Sequence, residues 1–214
     1  WCYLIYRLSR CFFTTMAFIL GKKIGMTRIF QEDGTVVPVT LVEAGPVMVT
    51  QIKTKDKDGY DAVQIGYGIE KKPNKSKTGH LKDLKSFKIL IETKIITDKK
   101  RGDEINTSSF SVGDSIKVSG LSKAKGFQGA VKRHGFHGMP ASHGHHHVLR
   151  HVGSIGQRFP QHTLKGMRMA GRMGGTRIST RGLRIVSIDN DNNLLAIKGA
   201  VPGRRGTLLE ISKL

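Results

Sequence analysis

Arg184-Ile185-Val186-Ser187-Ile188, then Asp189-Asn190-Asp191-Asn192-Asn193, then Leu194-Leu195-Ala196-Ile197-Lys198 reads as strand, turn, strand. The outer runs are aliphatic and β-branched, and the Asp and Asn between them tolerate left-handed backbone and bond their own turn amides. Four comparable runs stand near the other end of the chain: Lys23 to Phe30, Thr35 to Glu43, Val47 to Lys53 and Tyr60 to Tyr67. They are separated by Glu32-Asp33-Gly34, Ala44-Gly45-Pro46 and Lys57-Asp58-Gly59, each a turn signal. Strands on both sides of a strand-poor middle are expected to close one sheet. The expected fold is therefore mainly β, with a core at about 16–119 and 183–214 that is one sheet or a closed β-barrel. Gly68 to Lys85 is Lys-rich, and Leu81 and Leu84 stand at helical spacing, so a small α-containing insertion is expected at about 68–100. Phe87 either continues that spacing or opens a strand running to Ile96, and Gly113-Asp114 reads as a turn before a strand at Ser115 to Val118.

The middle of the chain departs from the rest in charge. Its 214 residues carry 36 Lys+Arg against 16 Asp+Glu, a formal net charge of +20. That balance favours a polyanionic partner, nucleic acid first and an acidic membrane surface second. No apolar run approaches the roughly 18 residues of a membrane span, so no membrane partner is expected. After Asp114 the next acid is Asp189, and the window between them holds 13 Lys+Arg, 13 of the 26 glycines and 8 of the 9 histidines. Its aromatics are Phe127, Phe136 and Phe159, too little apolar area to offset the ordering of so long a segment. The expectation is an extended basic loop at about 120–182 that becomes ordered along phosphates; the alternative is a solvated, disordered loop.

The motifs exclude more than they assign. Cys2 and Cys11 both lie in the first fifteen residues, which removes a disulfide framework and a thiolate zinc site from the body of the chain and fits a reducing compartment. His143, His145, His146, His147 and His151 resemble a ligand cluster, but no carboxylate stands in the window to orient them or act as a base, so no metal is expected. Gly153 to Gln157 is not a nucleophile elbow and Gly199 to Gly206 lacks the ending of a phosphate loop. No catalytic residue, cofactor or small-molecule substrate is expected. What remains is three basic clusters in which small residues alternate with bases: Ser122 to Phe127, Lys132-Arg133-His134, and Lys165 to Arg172. Such spacing lets backbone approach a phosphodiester chain while long side chains reach past it.

Several separated segments resemble one family in order: AFILGKKIGMTRIF (Ala17 to Phe30), GYDAVQIGYG (Gly59 to Gly68), SKAKGFQGAVKRHGFHG (Ser122 to Gly138), ASHGHHHVLRHVGSIGQ (Ala141 to Gln157), KGMRMAGRMGG (Lys165 to Gly175) and NNLLAIKGAVPG (Asn192 to Gly203). From Met16 onward the chain is similar to the bacterial-type large ribosomal subunit protein three family. The resemblance implies a translation-protein-like barrel and a long extension threading ribosomal RNA toward the peptidyl-transferase region. It implies a structural and early-assembly role on the cytoplasmic ribosome, or on an organellar one, beside neighbours such as large-subunit proteins fourteen and nineteen. A non-ribosomal RNA chaperone is the alternative.

The resemblance together with the charge pattern assigns rRNA contacts to Lys22, Lys23 and Arg28 near the start. In the window it assigns them first to Lys123, Lys125, Lys132, Arg133, His134 and His137, then to His143, His145, His146, His147, Arg150 and His151. Gln157, Arg158, Lys165, Arg168, Arg172, Arg177 and Arg181 complete the set. Two departures stand out. Ala124 replaces a glycine usual in the family, and Phe159 occupies the place of a glutamine that some members methylate, so that modification is not expected. Residues 1–15 fall outside the resemblance and read as translation upstream of Met16 or, less simply, as a transit peptide.

Overall fold

The computed structural model describes residues 17–94 and 99–214. The extension at 1–15 lies outside them, as does the end of the run from Phe87 to Ile96. Within them the chain is mainly β, with few and short helices. It divides into two compact units: Ser122–Arg177, and the residues up to Leu121 taken with Ile178–Leu214.

In the second of these, six strands form a hydrogen-bonded ring: β1 (Phe18–Phe30), β2 (Val36–Ala44), β7 (Ser115–Leu121), β10 (Arg177–Asp189), β11 (Leu194–Lys198) and β12 (Leu208–Lys213). Their order is β1-β12-β7-β10-β11-β2, and β2 pairs back onto β1. The β10–β11 hairpin forms because Asp189 caps its own turn: Oδ1 accepts from the amides of Asp191 at 3.1 Å and Asn192 at 3.2 Å. Hydrogen bonds from the Asn192 side chain and these backbone amides hold the Asp189 carboxyl below the usual carboxylate range.

A single sheet was the expectation for the flanks, and the structure divides them into two. β3 (Val47–Lys53), β4 (Ala62–Ile69), β5 (Phe87–Thr93) and the two-residue β6 (Glu104–Ile105) form a separate sheet in the order β5-β4-β3-β6. The break comes at Gly45, whose φ of +87° takes the chain out of β2, and from there β3 pairs with β4 and β6. That φ is open to glycine and strained for other residues. α1 (Lys55–Asp58) bridges β3 and β4, and α2 (Lys75–Leu81) falls where a surface helix was expected. Leu84 lies past the end of α2 and Phe87 begins β5, so the helical spacing stops at Leu81. Leu81 is the residue of α2 that is buried.

One core joins the ring to the sheet. Ile19, Leu20, Val42, Ile116, Val118, Ile185, Leu195, Ile197, Leu209 and Ile211 from the ring cluster with Val47, Val49, Val63 and Ile65 from the sheet. Alternation explains the assignment: Val42 and Ala44 face this core, while Val37 and Val39, on the opposite face of β2, join Ala196 in a smaller cluster. Each fully buried Leu or Ile contributes about 1.5–3 kcal/mol.

Just before β7 the turn expected at Gly113-Asp114 is fastened twice. Asp114 Oδ2 accepts from the Ser111 amide at 2.9 Å, and Oδ1 pairs with Lys213 Nζ at 2.8 Å. The Lys213 ammonium, then the Ser111 amide, hold the Asp114 carboxyl below its ordinary range. A lowered folded-state pKa means a contribution present above the ordinary carboxylate pKa and lost as pH falls through the lowered value. Asp114→Asn should therefore lower the thermal midpoint near pH 7, with the difference from the parent shrinking once the pH drops below about 4. A difference that grew on acidification would contradict the pairing.

Candidate nucleic-acid interface

The unit Ser122–Arg177 is built on a narrow two-stranded ribbon. The Ser122 amide donates to Thr176 O, Lys125 to Met173 O and Met173 to Gly126 O, each at 2.9 Å. β8 (Phe127–Gln128) pairs antiparallel with β9 (Gly171–Arg172), setting Phe127 opposite Arg172. Close approach of the two chains depends on Gly174, at φ +73°: a Cβ there would collide with the Lys123 carbonyl oxygen. Ala124, in the place of the family's glycine, is absent from the left-handed residues, so the path needs no glycine at that point.

α3 (Ala130–His134) follows β8 and ends at Gly135, whose amide donates to Val131 O. From this turn Arg133 Nη1 donates to Met169 O at 2.7 Å, and His134 Nε2 donates to the same carbonyl at 3.1 Å. Ribbon and helix thus bring together the first two basic clusters and the third, which lie far apart in sequence. Lys123, Lys125, Lys132 and Arg172 stay exposed around this base, while Arg133 and His134 are half-buried and spend donors on holding it.

Between Gly135 and Ala170 the chain makes an excursion with sparse internal bonding. The Met139 amide donates to Leu149 O and the His151 amide to Val148 O, both at 3.0 Å, closing a loop that carries the histidine run. His143 and His147 sit at φ +61° and +56°, and His137, His143, His145, His146, His147, Arg150 and His151 are all exposed. Among the described residues no three His, Cys, Asp or Glu converge on one point. Gln157, Arg158, Lys165, Arg168 and Arg177 are exposed too, with the Arg158 guanidinium 5.7 Å from the Phe159 ring centroid. Among described residues of this unit the one fully buried apolar side chain is Ala130, at 2% exposure. No acid occurs in it, so no ion pair neutralises its lysines and arginines from within.

In the ring unit Lys22, Arg28 and Arg181 are exposed, and Arg28 lies over the Phe30 ring at 5.8 Å. Lys23, expected at a phosphate, is placed otherwise. It is 8% exposed, and its Nζ donates to Val201 O at 2.9 Å and Gly203 O at 3.2 Å. Its backbone is tied to the same loop, the Lys23 amide donating to Thr207 O and the Gly206 amide to Lys23 O. The loop also presents Arg204 and Arg205, both exposed and close to β1: the Arg205 guanidinium lies beside Gly25 and the Lys22 stem beside Gly206. Sequence reasoning passed over this pair, although two adjacent arginines in a glycine-bounded turn were a signal. Phe127, the aromatic just after Lys125-Gly126, is exposed as well.

A model of the family described as "Ribosomal protein L3" matches residues 91–201, a span that contains the whole acid-free unit. The large ribosomal subunit protein uL3 of Finegoldia magna is 50% identical over 204 residues, covering 92% of this chain and 97% of that protein. The uL3 proteins of Heliobacterium modesticaldum and Chloroherpeton thalassium are 48% and 47% identical, over 89% and 92% of this chain. With identity near one half sustained over nine-tenths of the chain, and a family model matching residues 91–201, just over half of it, the chain belongs to the ribosomal protein L3 family.

Proposed function

We propose that this protein is a structural, non-catalytic constituent of the large ribosomal subunit that binds large-subunit rRNA directly. The observation that carries the reading is the unit Ser122–Arg177: rich in Lys, Arg and His, without an acid and without a packed apolar core. Ordering each backbone residue costs about 1–2 kcal/mol, which a single buried alanine does not offset. Phosphate contacts and the release of condensed counterions supply what is missing. In this reading the six-stranded ring, drawn mainly from about 16–119 and 183–214, is a closed barrel of the translation-protein type, 68–100 is an insertion, and 120–182 is the extension that follows rRNA toward the peptidyl-transferase region. The exposed lysines, arginines and histidines of that extension, with Lys22, Arg28 and Arg181, are its RNA contacts. The ribosome, cytoplasmic or organellar, is its location, beside other large-subunit proteins.

The test is sedimentation. Tagged protein expressed in cells should travel with large subunits through a gradient and stay with them after a high-salt wash, because an integral component is enclosed by folded RNA. Release by the wash would favour a loosely held RNA chaperone.

A further inference from the structure

The ring of Phe127 is the most exposed large apolar side chain among the described residues, at 76%. It does not stand on a loose loop. Its backbone belongs to β8, locked to β9 by the Phe127–Arg172 register and by the Lys125 and Met173 amides on either side. Gln128 Nε2 donates back to Lys125 O, bracing the same turn. Phe30 and Phe159, exposed to a similar degree, each carry an arginine guanidinium over the ring, at 5.8 and 5.7 Å. Phe127 has no such cover among the described residues. Arg172, its cross-strand partner, folds instead toward Gly175, where its Nη2 lies within contact of the site a Cβ would take. A flat, uncovered aromatic face thus stands on a paired ribbon beside two exposed cations, Lys125 and Arg172.

We infer that Phe127 is a stacking platform for an unpaired nucleobase, with Lys125 and Arg172 taking the flanking phosphates. The inference rests on the rRNA-binding reading and adds to it a contact that charge alone does not supply. An aromatic plane suits a splayed base because every base has a π face, and flanking cations suit the backbone on each side of it. A protein partner would have to place its own apolar residue here inside an acid-free field, which charge complementarity disfavours.

Removing the ring should weaken binding without changing its salt dependence, since stacking releases no counterion. Phe127→Ala is expected to lower affinity for large-subunit rRNA fragments by about 5- to 150-fold at fixed salt, with the log-log slope against salt unchanged. Phe127→Leu should lose nearly as much, because it keeps apolar bulk without the π face, whereas Phe127→Tyr should stay close to the parent. At 76% exposure none of these replacements touches a packed site, and circular dichroism checks that the fold is kept. Chemical probing of the complex should show one unpaired base protected by the parent protein and reactive with Phe127→Ala, with the flanking protections intact. Binding by Phe127→Leu equal to the parent overturns stacking while leaving the rRNA reading in place. Unchanged rRNA affinity together with loss of a protein from assembled particles would assign the ring to a protein neighbour. Failure of the parent chain to bind rRNA at all would bring down the functional reading and this inference with it.

Discussion

Affinity for large-subunit rRNA fragments should fall by about 10²- to 10⁵-fold when monovalent salt is raised from 50 to 200 mM, as for six to ten neutralised phosphates. The expectation comes from the composition of one unit. Between Asp114 and Asp189 the chain has no carboxylate of its own to compete for its lysines and arginines, so exposed cations such as Lys123, Lys125 and Lys132 are expected to displace counterions from RNA. A plot of log affinity against log salt should be linear with a slope of about −4 to −9, the lower figure for single-stranded and the higher for duplex sites. Filter binding across that range is sufficient. A slope near zero would mean that the window contacts RNA through something other than charge, and the electrostatic account would fall.

The parts of this molecule that could be read from sequence are those in which a residue type has one physical use. Asp189 to Asn193 had to be a turn, because five short acids and amides serve neither sheet face nor core, and the structure closes that hairpin on the Asp189 carboxylate. The acid-free window was visible by inspection because absence of charge compensation is a property of composition. Which strand pairs with which is not: alternation marks a strand and its faces but carries no address for its partner. That is why β3 and β4, read as part of one sheet, form a second sheet beyond Gly45. The joining of the first and third basic clusters was equally hidden, since it depends on Arg133 and His134 both reaching the Met169 carbonyl from a five-residue helix.

Lys22 and Lys23 show the same limit at a single residue, and they yield the second large effect. In sequence the two are indistinguishable cations near the start of a strand. In the fold, alternation along β1 puts Lys22 outside and Lys23 inside, where its ammonium is held by the carbonyls of Val201 and Gly203 and its stem is buried. A charged donor bridging two buried carbonyls fastens the loop after β11 to β1; hydrogen bonds involving an ionised group contribute about 1.5–3 kcal/mol each, less the cost of dehydrating the ammonium. Lys23→Met keeps the stem and removes the donor, so it should lower the unfolding free energy by about 2–4 kcal/mol while leaving the salt slope of RNA binding where it was. Lys22→Met should do the reverse: stability within about 0.5 kcal/mol of the parent, and a salt slope smaller by about 1. Urea unfolding of both variants beside the salt titration separates the roles. Should Lys23→Met unfold like the parent and lose a unit of slope, the ammonium reaches phosphate in solution and the burial described for it does not govern its function.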